Sequence, residues 1–151
     1  MKYRILVMAL LVVGGLLYAG WADQGGAKPM YEDGTYRGAF IDRDEIQVNI
    51  EFTLEDHRVT QIEYRHLHAQ GDEYLHAEDG TLEARLRDEY LKIIGHLEGN
   101  DIRTHLTDLY HPENIASDLE ADGLTAATMR SSKMISAIRD ALMRGVYSYP
   151  E

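Results

Sequence analysis

Ile46-Gln47-Val48-Asn49-Ile50-Glu51-Phe52-Thr53 alternates apolar and polar residues without a break. A period of two sends alternate side chains to opposite faces of an extended chain, so the stretch reads as a strand with one face buried and the other wet. Glu55-Asp56-His57-Arg58 follows as a polar turn, and Val59 to His66 makes a further strand with Ile62 and Tyr64 on one side. Upstream, Asp33-Gly34 is a turn signal, and Thr35, Tyr36, Ala39, Phe40 and Ile41 form the strand that precedes the central one. Successive strands joined by short polar links predict an antiparallel meander.

Beyond residue 80 the apolar spacing changes to three and four. Thr81 is placed to cap a helix running to about Leu97, with Leu82, Leu86, Tyr90, Ile93, Ile94 and Leu97 on its apolar side and Gly99-Asn100 ending it. Ile102, Leu106 and Leu109 predict a shorter helix stopped by His111-Pro112, and Glu113 to Ala121 reads as a polar connection or strand edge. Met134, Ile135, Ile138, Ala141 and Leu142 define a last helix, with Ser131 or Ser132 as its cap and Gly145 after its final turn. Strands in the first half and helices in the second predict an α+β fold, a small antiparallel sheet packed by helices.

The chain has 151 residues and no cysteine. Lys2 and Arg4 precede an apolar run from Ile5 to Ala22, whose 18 residues suit either a short membrane anchor or a signal peptide. Both readings send the rest of the chain out of the cytoplasm, because the Lys/Arg end stays inside. Tyr18 and Trp21 favour a retained anchor. Residues 1–22 are therefore expected as signal or anchor, 23–30 as a linker and 31–147 as one domain. The formal net charge of −11 opposes nucleic acid and anionic lipid headgroups as partners. Without cysteine there is no haem c attachment, no lipoprotein anchor and no disulfide.

Asp122-Gly123-Leu124-Thr125-Ala126-Ala127-Thr128-Met129-Arg130-Ser131-Ser132 is small and hydroxyl-rich, and it reads as a loop entering the last helix. Unpaired N–H groups and the positive dipole end at a helix start suit a phosphate, to which Thr125, Thr128, Ser131 and Ser132 would add hydroxyl donors. A capped helix after a polar loop is the plainer reading of the same residues. Among seven histidines, His66 and His68 alternate onto one strand face with His76 near in sequence. No cysteine, HExxH or carboxylate triad accompanies them, so half-buried or surface histidines are the preferred reading. No G-x-S-x-G elbow is present, and the acidic clusters read as solvated surface.

Two stretches carry a resemblance. Asp122, Leu124, Thr125, Ala126, Ala127 and Thr128 form a segment that resembles the Asp-x-x-(Ser/Thr)-Gly-Ala-Thr signature of the FMN-binding domain family. That domain occurs in subunits of the sodium-pumping NADH:quinone reductase and of Rnf-type electron-transfer complexes. Tyr31-x-Asp33-Gly34-Thr35-Tyr36-x-Gly38, followed by a hairpin, is similar to the opening of the same domain. The resemblance implies FMN as cofactor. Thr128 falls on the threonine that a flavin transferase joins to FMN through a phosphoester, Asp122 and Thr125 on other recognition positions, and Ser131 and Ser132 on a hydroxyl pair. Ala126 stands where the family usually has Gly, so covalent and non-covalent FMN both stay open. His68 to Tyr74 is the counterpart of a Gly-containing loop near the flavin ring, which makes Tyr74 a candidate to stack on the isoalloxazine.

The function expected on this basis is an extracytoplasmic, membrane-associated FMN-binding electron carrier or redox subunit rather than a stand-alone enzyme. Its partners would be redox proteins of a respiratory chain, reached through an acidic surface, together with the membrane and the transferase. A flavin-free exported binding module, or a structural subunit of a membrane complex, is the alternative.

Overall fold

The computed structural model describes residues 28, 30–43, 45–69, 72–115 and 121–148, and at 46, 69, 72 and 121–130 the backbone alone. The expected anchor or signal over residues 1–22, the linker residues 23–27, and Gln70-Gly71 lie outside the described residues.

Alternation is realised as strands β1 (Gly34–Asp42), β2 (Glu45–Glu55) and β3 (Arg58–Ala69), with a two-residue β4 (Asp72–Glu73). They pair antiparallel in the order β1-β2-β3-β4. Gly38 opposes Ile50 and Phe40 opposes Val48, while on the other side Ile50 opposes Tyr64 and Phe52 opposes Ile62. This register puts Tyr36, Val48, Ile50, Phe52, Leu54 and Tyr64 on one buried face, where the Tyr36 and Phe52 rings stack 5.3 Å apart.

Asp56 and His57 make the β2–β3 turn with φ of 47° and 63°. Positive φ at both central positions is the backbone of the tight hairpin turn whose twist matches that of the strands, and non-glycine residues hold it only when supported. Support is present: the Asp56 N–H donates to Asp33 Oδ1 at 2.8 Å, the His57 carbonyl accepts from the Ile102 N–H at 3.0 Å, and the His57 ring accepts from the Tyr31 N–H.

Helix α1 (Leu82–Gly95) starts at Thr81, whose hydroxyl accepts from the Ala84 N–H at 3.2 Å, and it buries Tyr90, Ile93 and Ile94. The chain then turns through Gly99 (φ 76°) and docks on β3, exchanging hydrogen bonds between Val59 and residues 99 and 100. Asp101 caps a short α2 (Ile102–His105), which tightens into a 3-10 turn over Leu106–Tyr110. Pro112 ends that segment as expected but also opens α3 (Pro112–Ile115), since a proline at the first helical position lacks only an N–H that would be unpaired there. The polar connection expected from Glu113 is therefore helical at its start.

The largest departure from expectation is α4, which runs from Ala121 to Arg144 rather than starting near Ser131. Leu124, Ala126, Ala127, Met129 and Arg130 are strong helix formers, and nothing among them interrupts the turn-to-turn bonding. As residue number rises along α4, its partner on β1 falls: Lys133 lies over the Phe40 ring, Asp140 accepts from the Ala39 N–H at 3.0 Å, and the Tyr147 N–H reaches the Thr35 carbonyl at 2.7 Å. The helix is thus antiparallel to β1. It approaches so closely that a Cβ on Gly38 would stand 2.1 Å from the Ala137 carbonyl oxygen and 2.4 Å from the Ala141 nitrogen. Met134, Ile135, Ala137, Ile138 and Ala141 complete one hydrophobic core shared by sheet and helices.

Candidate functional site

Asp122, Leu124, Thr125, Ala126, Ala127 and Thr128 all have helical backbone in the first half of α4, and their side chains lie outside the described residues. Ala126 is therefore in a conformation that suits alanine. Only about the first four N–H groups of a helix lack an internal partner, here those near 121–124. Thr128 stands seven residues on, roughly 10 Å along the axis. The expected cradle, with hydroxyls and helix-start donors meeting one phosphate, is corrected on this point: positions 128 and 131–132 belong to the helix flank.

Ser131 and Ser132 part company. Ser131 is fully buried, on the same stripe as Ile135, Ile138 and Leu142, so it is neither the cap nor a ligand donor at the surface. Ser132 is exposed, and its carbonyl accepts from the Ser136 hydroxyl at 2.8 Å, the in-helix back-bond available to serine. Position 128 stands four residues before exposed Ser132 and three and seven before buried Ser131 and Ile135, at the border between the wet and the buried sides of the helix.

Nine residues separate Thr128 from Ala137, roughly 14 Å of helix, and four residues of β1 from Gly38 to Asp42 cover about the same length. Followed straight along β1, the helix axis would bring the Thr128 backbone level with the β1–β2 turn. At that end of the sheet the His66 and His68 rings stack 5.0 Å apart, and His68 Nδ1 lies 2.9 Å from Glu45 Oε1. Across from His68, Glu73 accepts from the Leu75 and His76 N–H groups at 2.8 and 3.0 Å. Desolvation pushes the Glu73 carboxyl up, but those two N–H groups and the neighbouring His76 and His68 outweigh it and hold it below the ordinary carboxylate range. The two strand histidines do pair as their spacing implies. Among the described residues no group of three or more potential ligands is close enough to hold a metal.

Tyr74 is corrected outright. It is buried, stacks on Tyr90 at 6.3 Å and donates its N–H to the Leu67 carbonyl at 2.9 Å, so its ring belongs to the core and not to a ligand. The Tyr31–Gly38 stretch is likewise occupied with folding. The Tyr36 hydroxyl donates to the Glu32 carbonyl at 2.7 Å, Asp33 braces the β2–β3 turn, and Gly38 admits α4.

Sequence reasoning passed over Lys133. Its ammonium meets the Gln47 amide oxygen and lies 5.7 Å from the Phe40 ring centroid, about one and a half turns past Thr128. A cavity of about 350 Å³ lies at the far end of α4, between Arg37, Asn49, Arg144 and Tyr147. Its two guanidiniums are engaged, Arg37 with Glu51 and Arg144 with Asp140. Sixteen residues of helix, roughly 24 Å, separate it from Thr128.

Comparison with protein families, with curated proteins and with solved structures finds no match for this chain.

Proposed function

We propose that this chain is an FMN-binding electron-transfer protein working on the outer side of the cytoplasmic membrane, with its flavin phosphate held on the flank of α4 and Thr128 as the residue that carries it. The flavin supplies the redox chemistry, and the protein supplies position and surroundings. The apolar segment 5–22 ties the domain to the membrane, and respiratory redox proteins are its exchange partners.

One observation carries the reading. Position 128 stands at the edge of the wet side of α4, four residues before exposed Ser132 and seven before buried Ile135. A threonine at that edge is within reach of a transferase and of a flavin laid along the helix, whereas one at the centre of the buried stripe would be closed to both. The order and spacing of Tyr31–Gly38 and Asp122–Ser132 support the same reading.

The test is Thr128→Ala in the full-length protein, co-expressed with a flavin transferase. The variant should keep its circular dichroism spectrum and lose flavin fluorescence from the denatured band. Covalent flavin retained in that variant would overturn the assignment of the linkage to Thr128.

A further inference from the structure

We propose that the face of the domain carrying Met30, Tyr31, Tyr110, Arg139, Leu142 and Met143 rests on the phospholipid headgroup layer, with Met30 and Met143 entering it. The inference rests on the reading of segment 5–22 as a retained anchor. It adds which side of the domain looks at the bilayer.

The length of chain decides the geometry. Met30 stands eight residues on from Ala22, and whatever the conformation between them the two are no further apart than about 28 Å. A domain of about 120 residues has a radius of gyration near 14 Å and hence a diameter of roughly 35 Å. The tether is shorter than the domain, so the surface around Met30 cannot be turned away from the membrane.

That surface has the composition of a membrane contact. Met30 is 81% and Met143 87% exposed, the two highest values among the exposed large hydrophobic side chains. Tyr31, Arg139, Leu142 and Met143 line a shallow cavity of about 270 Å³. The Arg139 guanidinium stands 5.7 Å from the ring centroid of Tyr110, which is itself 41% exposed. Unbranched apolar side chains beside a tyrosine and an arginine suit the headgroup boundary, where the ring and the guanidinium stay at phosphate level. Of the acids that follow Met30, Asp33 is engaged by the Asp56 N–H, and Glu32 is exposed beside Tyr31. Without the tether so small a patch on an acidic domain would not hold to lipid; with it, the contact is intramolecular and a weak interaction suffices.

The geometry also sets the other end. Met143 lies fifteen residues from Thr128 along α4, so the helix flank proposed to carry FMN would begin roughly 22 Å from this contact.

The absence of native cysteine makes single-site labelling clean. Met143→Cys and, at the exposed β1–β2 turn, Arg43→Cys are each labelled with an environment-sensitive fluorophore. The full-length protein is then reconstituted in phosphatidylcholine–phosphatidylglycerol vesicles. The Met143→Cys label should shift to the blue and lose most of its collisional quenching by acrylamide when lipid is added, while the Arg43→Cys label stays water-like. Protein that floats with vesicles yet leaves both labels equally water-exposed overturns the face alone. A Met143→Cys label already shielded in detergent-free, lipid-free protein means that residues 1–27 or a second copy cover the face, and overturns the proposal. Failure to float overturns the anchor reading as well, and flavin absorbance reports independently on FMN binding.

Discussion

Replacing Gly38 by alanine adds one methyl group at the point where β1 meets α4. The new Cβ would sit 2.1 Å from the Ala137 oxygen, 2.4 Å from the Ala141 nitrogen and 2.8 Å from the Ala141 Cβ. Ordinary contacts lie near 3.5 Å, so helix and strand must part by roughly 1 Å. Overpacked cores lose about 1–3 kcal/mol when side chains can rearrange. Here two of the three neighbours are helix backbone, which cannot rotate away, so the upper end applies and a loss of about 3 kcal/mol is expected. For a domain of this size that corresponds to a fall in Tm of about 12 °C. Gly95→Ala is the matched control. Gly95 closes α1, is exposed, and an added Cβ there meets nothing within 4 Å. The same chemical change should therefore stabilise by about 0.5–1 kcal/mol, through the smaller entropy of the unfolded chain. Thermal and urea unfolding of both variants, followed by circular dichroism, gives the comparison. A Gly38→Ala variant within about 1 kcal/mol of the parent would refute the close approach of α4 to β1.

Two further perturbations probe the electrostatics. The Asp101 carboxyl is held well below its usual range by the Arg103 guanidinium, against the opposing push of desolvation and with help from the Arg103 N–H and the charges of Arg103 and Lys28. Its contribution is present in full above the unfolded value near pH 4 and fades as pH falls below it, so Asp101→Asn should lose about 1 kcal/mol at pH 7 and converge on the parent in acid unfolding curves. The Tyr64 phenol lies among Tyr90, Met134 and the core, and burial pushes its ionisation well above the ordinary value. In an alkaline absorbance titration Tyr64 should resist ionisation until the fold gives way, and Tyr36, raised by burial and by Glu32, should also ionise late; Tyr64→Phe should shrink the late component, and the stability Tyr64 lends is whole below about pH 10 and is lost above it.

The sheet is legible in the sequence because period-two alternation leaves one register with Val48, Ile50, Phe52 and Leu54 inside together. The Thr81 cap is legible for a related reason, since it depends on residues within four positions; the β2–β3 turn is legible in place, while its support comes from Asp33, Tyr31 and Ile102. What escapes is whatever depends on distant partners. The role of Gly38 rests on Ala137 and Ala141, about a hundred residues away, and the alanine pair gives no local sign of which strand it meets. Tyr74 occupies a loop edge in sequence, but its stacking partner Tyr90 sits on α1. Ser131 misleads because serine is also a favoured cap. The signal against that reading was present: Ser131 stands three, four and seven residues before Met134, Ile135 and Ile138, in phase with the buried stripe. The resemblance to a flavin-binding signature singles out the segment around Thr128, while its helical backbone moves the expected phosphate contact from a helix start to a helix flank.

Intact mass of the denatured full-length protein, purified after co-expression with a flavin transferase and compared with its visible absorption before denaturation, tests the central claim most directly. A yellow protein whose polypeptide carries the added mass of one FMN less one water, mapped by peptide sequencing to Thr128, is the result this account predicts. A colourless protein of unmodified mass that takes up no FMN when it is offered would contradict it.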